Sequence, residues 1–348
     1  MASVLHLLGT TAEEQTRQIH ALLMREIGPD FPSETRTLGQ GGTYRNLPTA
    51  IFHLRQEKPD ITYAWGIPAL AAAVMAKHPR IFFSPDRFAG PNALRWIRQL
   101  MDRPTVTMIC PTFTQQRLAI TRGIHSEHCT VIQPGVDFGS VRAHRDPILR
   151  KKLGFAEAVF VMIAPGESTL QTGHEHAVWA AVILQVLDPA CKLLLWGRGP
   201  RAPAAAAAAR RLQVDLVTLA EQKLGRVVRF EELLGVADAC LVTPAGVTPT
   251  LPIATVMASG VPIISTVTYM LSELLEDRHT ALLVSSRSPR SLVQRVQDLR
   301  ADPALATKIA QTARAEAYEH FSMTKMLDEY RRLFALEASE MPTSTVAR

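Results

Sequence analysis

What most constrains this chain is a rhythm. Short apolar runs alternate with stretches of helical periodicity, the series breaks once near the middle, and then it begins again. In the first half the runs are Val4–Leu8, Asp60–Tyr63, Arg80–Ser84, Thr105–Ile109 and Thr130–Ile132, with Thr35–Leu38 a weaker one. Between them the pattern predicts helices over Ala12–Glu26, Leu47–Glu57, Pro68–Lys77, Asn92–Met101 and Thr114–Arg122. Thr11 followed by Glu14 resembles a capping box, in which side chains at the two positions satisfy each other's free amides. A strand covered on both faces reads as a continuous apolar run, and a parallel neighbour needs a crossover helix. Strand, helix, strand at this spacing therefore predicts a parallel sheet with helices on both faces.

The break is the polar, charged segment from Asp137 to Lys152, which contains Pro147 and reads as an inter-domain linker. The rhythm then restarts. Strands are expected at Val159–Ala164, Lys192–Trp196, Val227–Phe230, Ala239–Val242, Pro262–Ser265 and Ala281–Val284. Helices are expected at His174–Leu187, Leu251–Ser259, Ser288–Leu299, Pro303–His320 and Thr324–Glu337. Pro203 and the six alanines after it form a further helix, since alanine is the best helix former. Val214–Thr218 fits either a strand or a continuation of that helix. A length of 348 residues suits two domains of roughly 150 residues each. The expected division is an amino-terminal domain over 1–140, a linker over 141–152, and a second domain over 153–320. A carboxyl-terminal helix over 321–340 is placed to pack back on the first domain, ahead of a disordered tail over 341–348. In doubly wound sheets ligands bind at the carboxyl ends of the strands, so a cleft between two such sheets is the natural site.

Composition excludes several classes. The four cysteines, Cys110, Cys129, Cys191 and Cys240, lie far apart with no CxxC pair, which argues against a zinc site or a disulfide framework and suits a reducing cytoplasm. The formal charge of +6 and pI of about 9.3 come from basic residues that are spread out. Apart from Arg331-Arg332 the densest run is Arg150-Lys151-Lys152, too short for a nucleic-acid interface and without interleaved aromatics. The amino terminus, Met1-Ala-Ser-Val-Leu-His-Leu-Leu-Gly, reads as a first strand and not as a signal peptide. No stretch reaches the roughly 18 apolar residues of a membrane span, so the expected protein is soluble or at most peripheral to a membrane. No GxGxxG follows the first strand, which sets aside a nicotinamide dehydrogenase.

A series of short segments carries a more specific likeness. Val131-Ile-Gln-Pro-Gly-Val-Asp137, Leu195-Trp-Gly-Arg-Gly-Pro200, Ala237-Asp-Ala-Cys-Leu-Val-Thr-Pro244, Val256-Met-Ala-Ser-Gly-Val-Pro-Ile-Ile264, His279-Thr-Ala-Leu-Leu-Val284 and Phe321-Ser322 with Tyr330 follow one another over about 200 residues. In order and spacing they resemble the motifs of the family-4 retaining glycosyltransferases (glycosyl transferases group 1). The resemblance implies an α/β fold of GT-B type: two doubly wound parallel-sheet Rossmann-like domains facing a cleft, with the nucleotide sugar held by the second. The first 125 residues match in pattern only.

The resemblance also implies a site. Gly197 and Gly199 follow a strand, where a turn needs a residue without Cβ. The helix starting near Thr248–Pro252 offers unpaired amides and a positive dipole end, which can hold a diphosphate without a metal. On this basis the donor-side candidates are Gly166, Gly197, Arg198, Gly246, Thr248, Thr250, Thr255 and Glu273, with Asp86 and Arg87 on the acceptor side. The chain departs from the family in places. The Glu-x7-Glu pair falls on Val247 and Thr255, and the Arg and Lys that neutralise the diphosphate fall on Glu167 and Thr172. His174, His176 or Arg198 stand near enough in sequence to compensate. Glu273 keeps the family's acidic position, or is first-turn charge on a short helix capped by Ser272. Trp65 fits a sugar-stacking platform or a core tryptophan.

The leading expectation is metal-independent transfer of a sugar from a nucleoside-diphosphate sugar, with retention, to a glycan, lipid or small-molecule acceptor, and no nucleic-acid partner. Two alternatives stay open: a catalytically impaired relative that binds a ligand or partner, and a sugar-nucleotide epimerase on the same fold.

Overall fold

The computed structural model describes residues 2–85, 97–141, 145–211, 217–246, 249–285 and 288–339. The chain forms two compact units. One is Met1–Gln133 together with Thr324–Arg348, and the other is Pro134–Met323.

The first unit is built on a sheet of β1 (Val4–Gly9), β2 (Ser33–Leu38), β3 (Ile61–Trp65), β4 (Ile81–Ser84), β5 (Val106–Cys110) and β6 (Cys129–Val131). Their order is β2-β1-β3-β4-β5-β6, and every pairing is parallel. All five residues of β3 are buried, as expected of a central strand covered on both faces. The β1–β3 register sets His6 against Tyr63 and Leu8 against Trp65. The last helix, Met323–Ser339, belongs to this unit. Its Phe334 stacks on Phe82 at 5.6 Å and meets Phe31 edge-on, and the Tyr330 hydroxyl lies 2.9 Å from that of Tyr63.

The second unit is built on β7 (Phe160–Ala164), β8 (Cys191–Leu195), β9 (Val217–Leu219), β10 (Ala239–Val242), β11 (Ile263–Thr266) and β12 (Leu282–Val284). Their order is β12-β11-β10-β7-β8-β9, again parallel throughout. Counted from β7, this is the doubly wound dinucleotide-binding order. It places the crevice where the winding reverses, between the carboxyl ends of β7 and β10. No helix among the described residues is long and apolar enough to cross a membrane. All four cysteines are free and buried.

Several local expectations change. The first helix, Glu14–Glu26, has Glu13 at its cap and no side-chain cap bond. The Ala12 amide turns back to the Gly9 carbonyl, so Thr11 lies in a tight turn and makes no capping box. Val227–Phe230 is not a strand. Phe230 opens a short helix, Phe230–Leu234, and the Glu232 carboxylate accepts from the Arg229 amide; the edge strand is Val217–Leu219 instead. The polar segment read as a linker contains the helix Pro147–Leu153. Asp146 caps it by accepting from the Leu149 amide at 2.9 Å, and Gly154 closes it in the left-handed region. Arg150 anchors that helix: buried, it donates to the Val236 and Val159 carbonyls and to Asp238. The expected helix Asn92–Met101 is described only from residue 97, and residues 212–216 and the tail lie outside the described residues.

Candidate functional site

Loops leaving the carboxyl ends of β7, β8, β10 and β11, four adjacent strands, carry every described donor-side candidate, together with the helix Thr250–Ser259 that follows β10. Three of these loops lock together backbone to backbone. Gly173 sits at φ +60°, and a Cβ there would overlap the Thr243 carbonyl oxygen at the end of β10. The Thr243 hydroxyl donates to the Gly173 carbonyl at 3.0 Å, and the Ala245 amide donates to that of Gln171 at 2.8 Å. On the other side a Cβ on Gly199 would stand 2.5 Å from the Ser168 carbonyl oxygen, while the Ser168 amide donates to the Arg198 carbonyl at 2.9 Å. Gly166 rests against the ring of Pro252, so the loop after β7 passes over the first turn of helix Thr250–Ser259. Gly197 faces Leu219 and Glu221, and Gly246 is exposed beside Gln171.

Pro249 stands at the cap of helix Thr250–Ser259 and brings no side-chain acceptor of its own. Thr250 is buried, and its hydroxyl has no hydrogen-bond partner among the described residues. A buried polar group left unpaired costs about 1–3 kcal/mol, and native proteins retain few of them. Thr255, one turn on, is different: its hydroxyl donates to the Leu251 carbonyl within the same helix at 2.7 Å. Val247 and Thr248 lie outside the described residues.

The charge-bearing candidates are already engaged. Arg198 pairs with Glu221 at 2.8 Å and lies 4.7 Å above the Trp196 ring. Glu221 also accepts from the Val228 amide, which fixes the pair in place. His174 is fully buried, and burial pushes its pKa down to about 4. Its Nε2 donates to the Pro165 carbonyl at 3.1 Å, so Nδ1 is the acceptor for the Ser168 hydroxyl at 2.8 Å. Near neutral pH it is therefore a neutral pin for the loop after β7 and not a compensating cation. Thr172, at the family's lysine position, is also turned into its own loop. Its hydroxyl donates to the Glu167 carbonyl and accepts from the Thr169 amide, both at 2.9 Å. Glu273 lies in a 3-10 turn, Leu271–Glu273, after β11. Ser272 does not cap that turn: its hydroxyl donates to the Tyr269 carbonyl, while the Thr268 hydroxyl accepts from the Leu271 amide.

In the first unit Gly9-Thr-Thr11 ends β1, and the Thr10 carbonyl accepts from Arg17. Trp65 is buried, stacks on Tyr63 at 4.0 Å and donates its ring N–H to His6, which makes it a core residue. Asp86 and Arg87 lie outside the described residues. Two features carry little signal in the sequence. His6 is legible only as the one polar residue inside the run Val4–Leu8, and the Arg198–Glu221 pair spans 23 positions with no local signal. No cluster of three or more His, Cys, Asp or Glu that could hold a metal occurs among the described residues.

Two six-stranded parallel sheets with these windings define the GT-B glycosyltransferase fold. The chain superposes on HepE of Anabaena, solved in complex with UDP and glucose, with a TM-score of 0.77 at 18% identity, over 96% of this chain and 100% of that one. It superposes on sucrose-phosphate synthase from Thermosynechococcus elongatus with a TM-score of 0.77 at 16% identity, over 96% and 100%. Within that fold, residues 161–302 match the family described as glycosyl transferases group 1. Among curated proteins the chain is 24% identical over 196 residues to EpsD of Bacillus subtilis (strain 168), named a putative glycosyltransferase. That match takes in 54% of this chain and spans about half the length of EpsD, 48%.

Proposed function

We propose that the chain is a glycosyltransferase that takes a sugar from a nucleoside-diphosphate donor and transfers it, with retention and without a metal, to an acceptor still to be identified. The single observation that carries this reading is the Thr250 hydroxyl. It is buried, unpaired among the described residues, and set on the first residue of the helix at the sheet's switch point. An anion seated there would meet that hydroxyl and the positive end of the helix dipole together. Retaining transfer asks mainly for a positioned donor and a stabilised leaving diphosphate, and fixed neutral donors supply that stabilisation without rearranging. The backbone locking of the loops after β7, β8 and β10 supports such preorganisation. HepE, which shares the fold, was solved with UDP-glucose, so UDP-sugars come first in the search.

The test is calorimetric titration of UDP-, GDP- and ADP-sugars into the full chain. Affinity for one of them is expected, and no heat from any of them at millimolar donor would sink the proposal. Thr250→Val separates the site from the fold. It should weaken nucleotide binding by about tenfold, the worth of one hydrogen bond to a charged group, while leaving stability unchanged or slightly higher. A second reading, a binding protein that has lost turnover, is favoured by the engaged charges: Arg198 on Glu221, neutral His174 and the inward Thr172 hydroxyl. Donor binding without sugar transfer across a panel of acceptors would select it.

A further inference from the structure

The run Arg150-Lys151-Lys152 has no part in the site above, and the fold divides its members. Arg150 turns inward, whereas Lys151 and Lys152 are exposed on the outer side of helix Pro147–Leu153. Ile148 shares that side, three and four residues away, with 69% of its surface exposed. Gly154 at the helix end lies beside Lys223, whose own helix, Ala220–Leu224, leads into exposed Arg226, Val227 and Arg229. Val227 is 73% exposed. Arg145, Lys152, Arg226 and Arg229 line one open groove of about 880 Å³, with Ile148 in its wall. The carboxylates nearby are fewer and mostly engaged. Asp146 caps the helix, Glu232 pairs with Arg226 at 2.9 Å, and Asp238 pairs with Arg145 and Arg150; Glu157 stands on the adjoining turn.

Six cations on one face raise the local positive potential. Two large aliphatic side chains, Ile148 and Val227, stand out among them with most of their surface exposed. Cations around protruding apolar groups are the chemistry that holds a protein on an anionic lipid surface, the apolar groups entering the headgroup layer while the cations meet its negative charge. We propose that this face of the second unit docks on an anionic bilayer, with Ile148 and Val227 inserting and Arg145, Lys151, Lys152, Lys223, Arg226 and Arg229 supplying the charge. The segment from Lys223 to Arg229 continues from Glu221, the partner of Arg198, but none of the six cations is a donor-side candidate, and the proposal does not depend on the transferase reading.

The experiment is co-sedimentation of the full chain with phosphatidylcholine vesicles, with and without phosphatidylserine. Binding is expected only with phosphatidylserine and should fall as salt is raised. Lys151→Glu, Lys152→Glu and Arg229→Glu together should cut binding by at least about tenfold. Ile148→Ser with Val227→Ser, which leaves the charge alone, should cut it several-fold. A charge-matched variant elsewhere, Lys58→Glu, Arg122→Glu and Lys308→Glu, should retain most of it. Each variant is used only if its circular dichroism and melting match the parent. Equal binding to phosphatidylcholine alone, or an equal loss in the charge-matched variant, overturns the proposal. So does full competition by inositol hexakisphosphate combined with no effect of the two serine substitutions, since that pattern marks a groove for a soluble phosphate.

Discussion

Gly173 and Gly246 stand at opposite ends of what a single added methyl can do. At Gly173 φ is +60°, and the new Cβ would run into the Thr243 carbonyl oxygen, a backbone atom held in the β10 ladder's continuation with no side chain to swing away. Gly173→Ala should therefore cost at least about 2 kcal/mol, from the left-handed backbone and the overlap together. Gly246→Ala meets nothing closer than 3.8 Å and should stay within about 0.5 kcal/mol. Urea denaturation of the two variants checks the contrast, and equal costs would mean that the loops after β7 and β10 are not locked. Glu167 bears on the site's charge. Its carbonyl holds the loop through Thr172, and that backbone contact is open to any side chain at the position. Glu167→Arg restores the family's cation and should tighten UDP affinity by about tenfold through a charge-assisted contact. Unchanged or weaker affinity would count against the alignment that places Glu167 there.

At the scale of elements, apolar runs were legible because a parallel strand covered on both faces tolerates little else, as β3, β7 and β10 show. Legibility failed where two side-chain programmes compete over a few residues. Val227-Val228-Arg229-Phe230 has strand composition, yet Glu232 satisfies the Arg229 amide and a short helix wins. Asp146 through Gly154 is as polar as a linker, yet the buried Arg150 finds three acceptors in other segments, which no local pattern announces. The same limit hid the histidines. His6 in β1 is pushed down to about 3 by burial and by His20, and His174 at the start of its helix to about 4 by burial. Both folded values lie below the unfolded value of about 6.5. The unfolded chain therefore binds protons that the native chain refuses. These two groups leave stability flat above about pH 6.5 and erode it steadily as pH falls toward 4. Melting temperature followed by calorimetry between about pH 7 and pH 4 should show that decline. His6→Met should be less stable at neutral pH, because Trp65 loses its acceptor, but should lose less on acidification.

For the whole molecule, the chain leaves its first unit after Gln133 and returns at Thr324 to finish it. The apolar pattern of the last helix states that one side is buried but not by what; the structure shows the cover to be the β3–β4 face. Phe334 is the centre of that contact. It is almost wholly buried among Phe31, Tyr63, Phe82 and Tyr330, with ring centroids 5.6 to 6.4 Å away. Truncating such a ring removes its burial and leaves a cavity that Tyr63 and Tyr330, tied to each other through their hydroxyls, cannot collapse to fill. Phe334→Ala should therefore cost about 3–5 kcal/mol. Because its partners all lie in the first unit, the loss should be local in sequence terms and discontinuous along the chain. In hydrogen exchange, amides of β3, β4 and the last helix should lose protection, while those of β7 and β10 keep theirs. Uniform loss across both sheets would mean that the two units unfold as one. No loss in β3 or β4 would mean that the last helix contributes little to holding the first sheet.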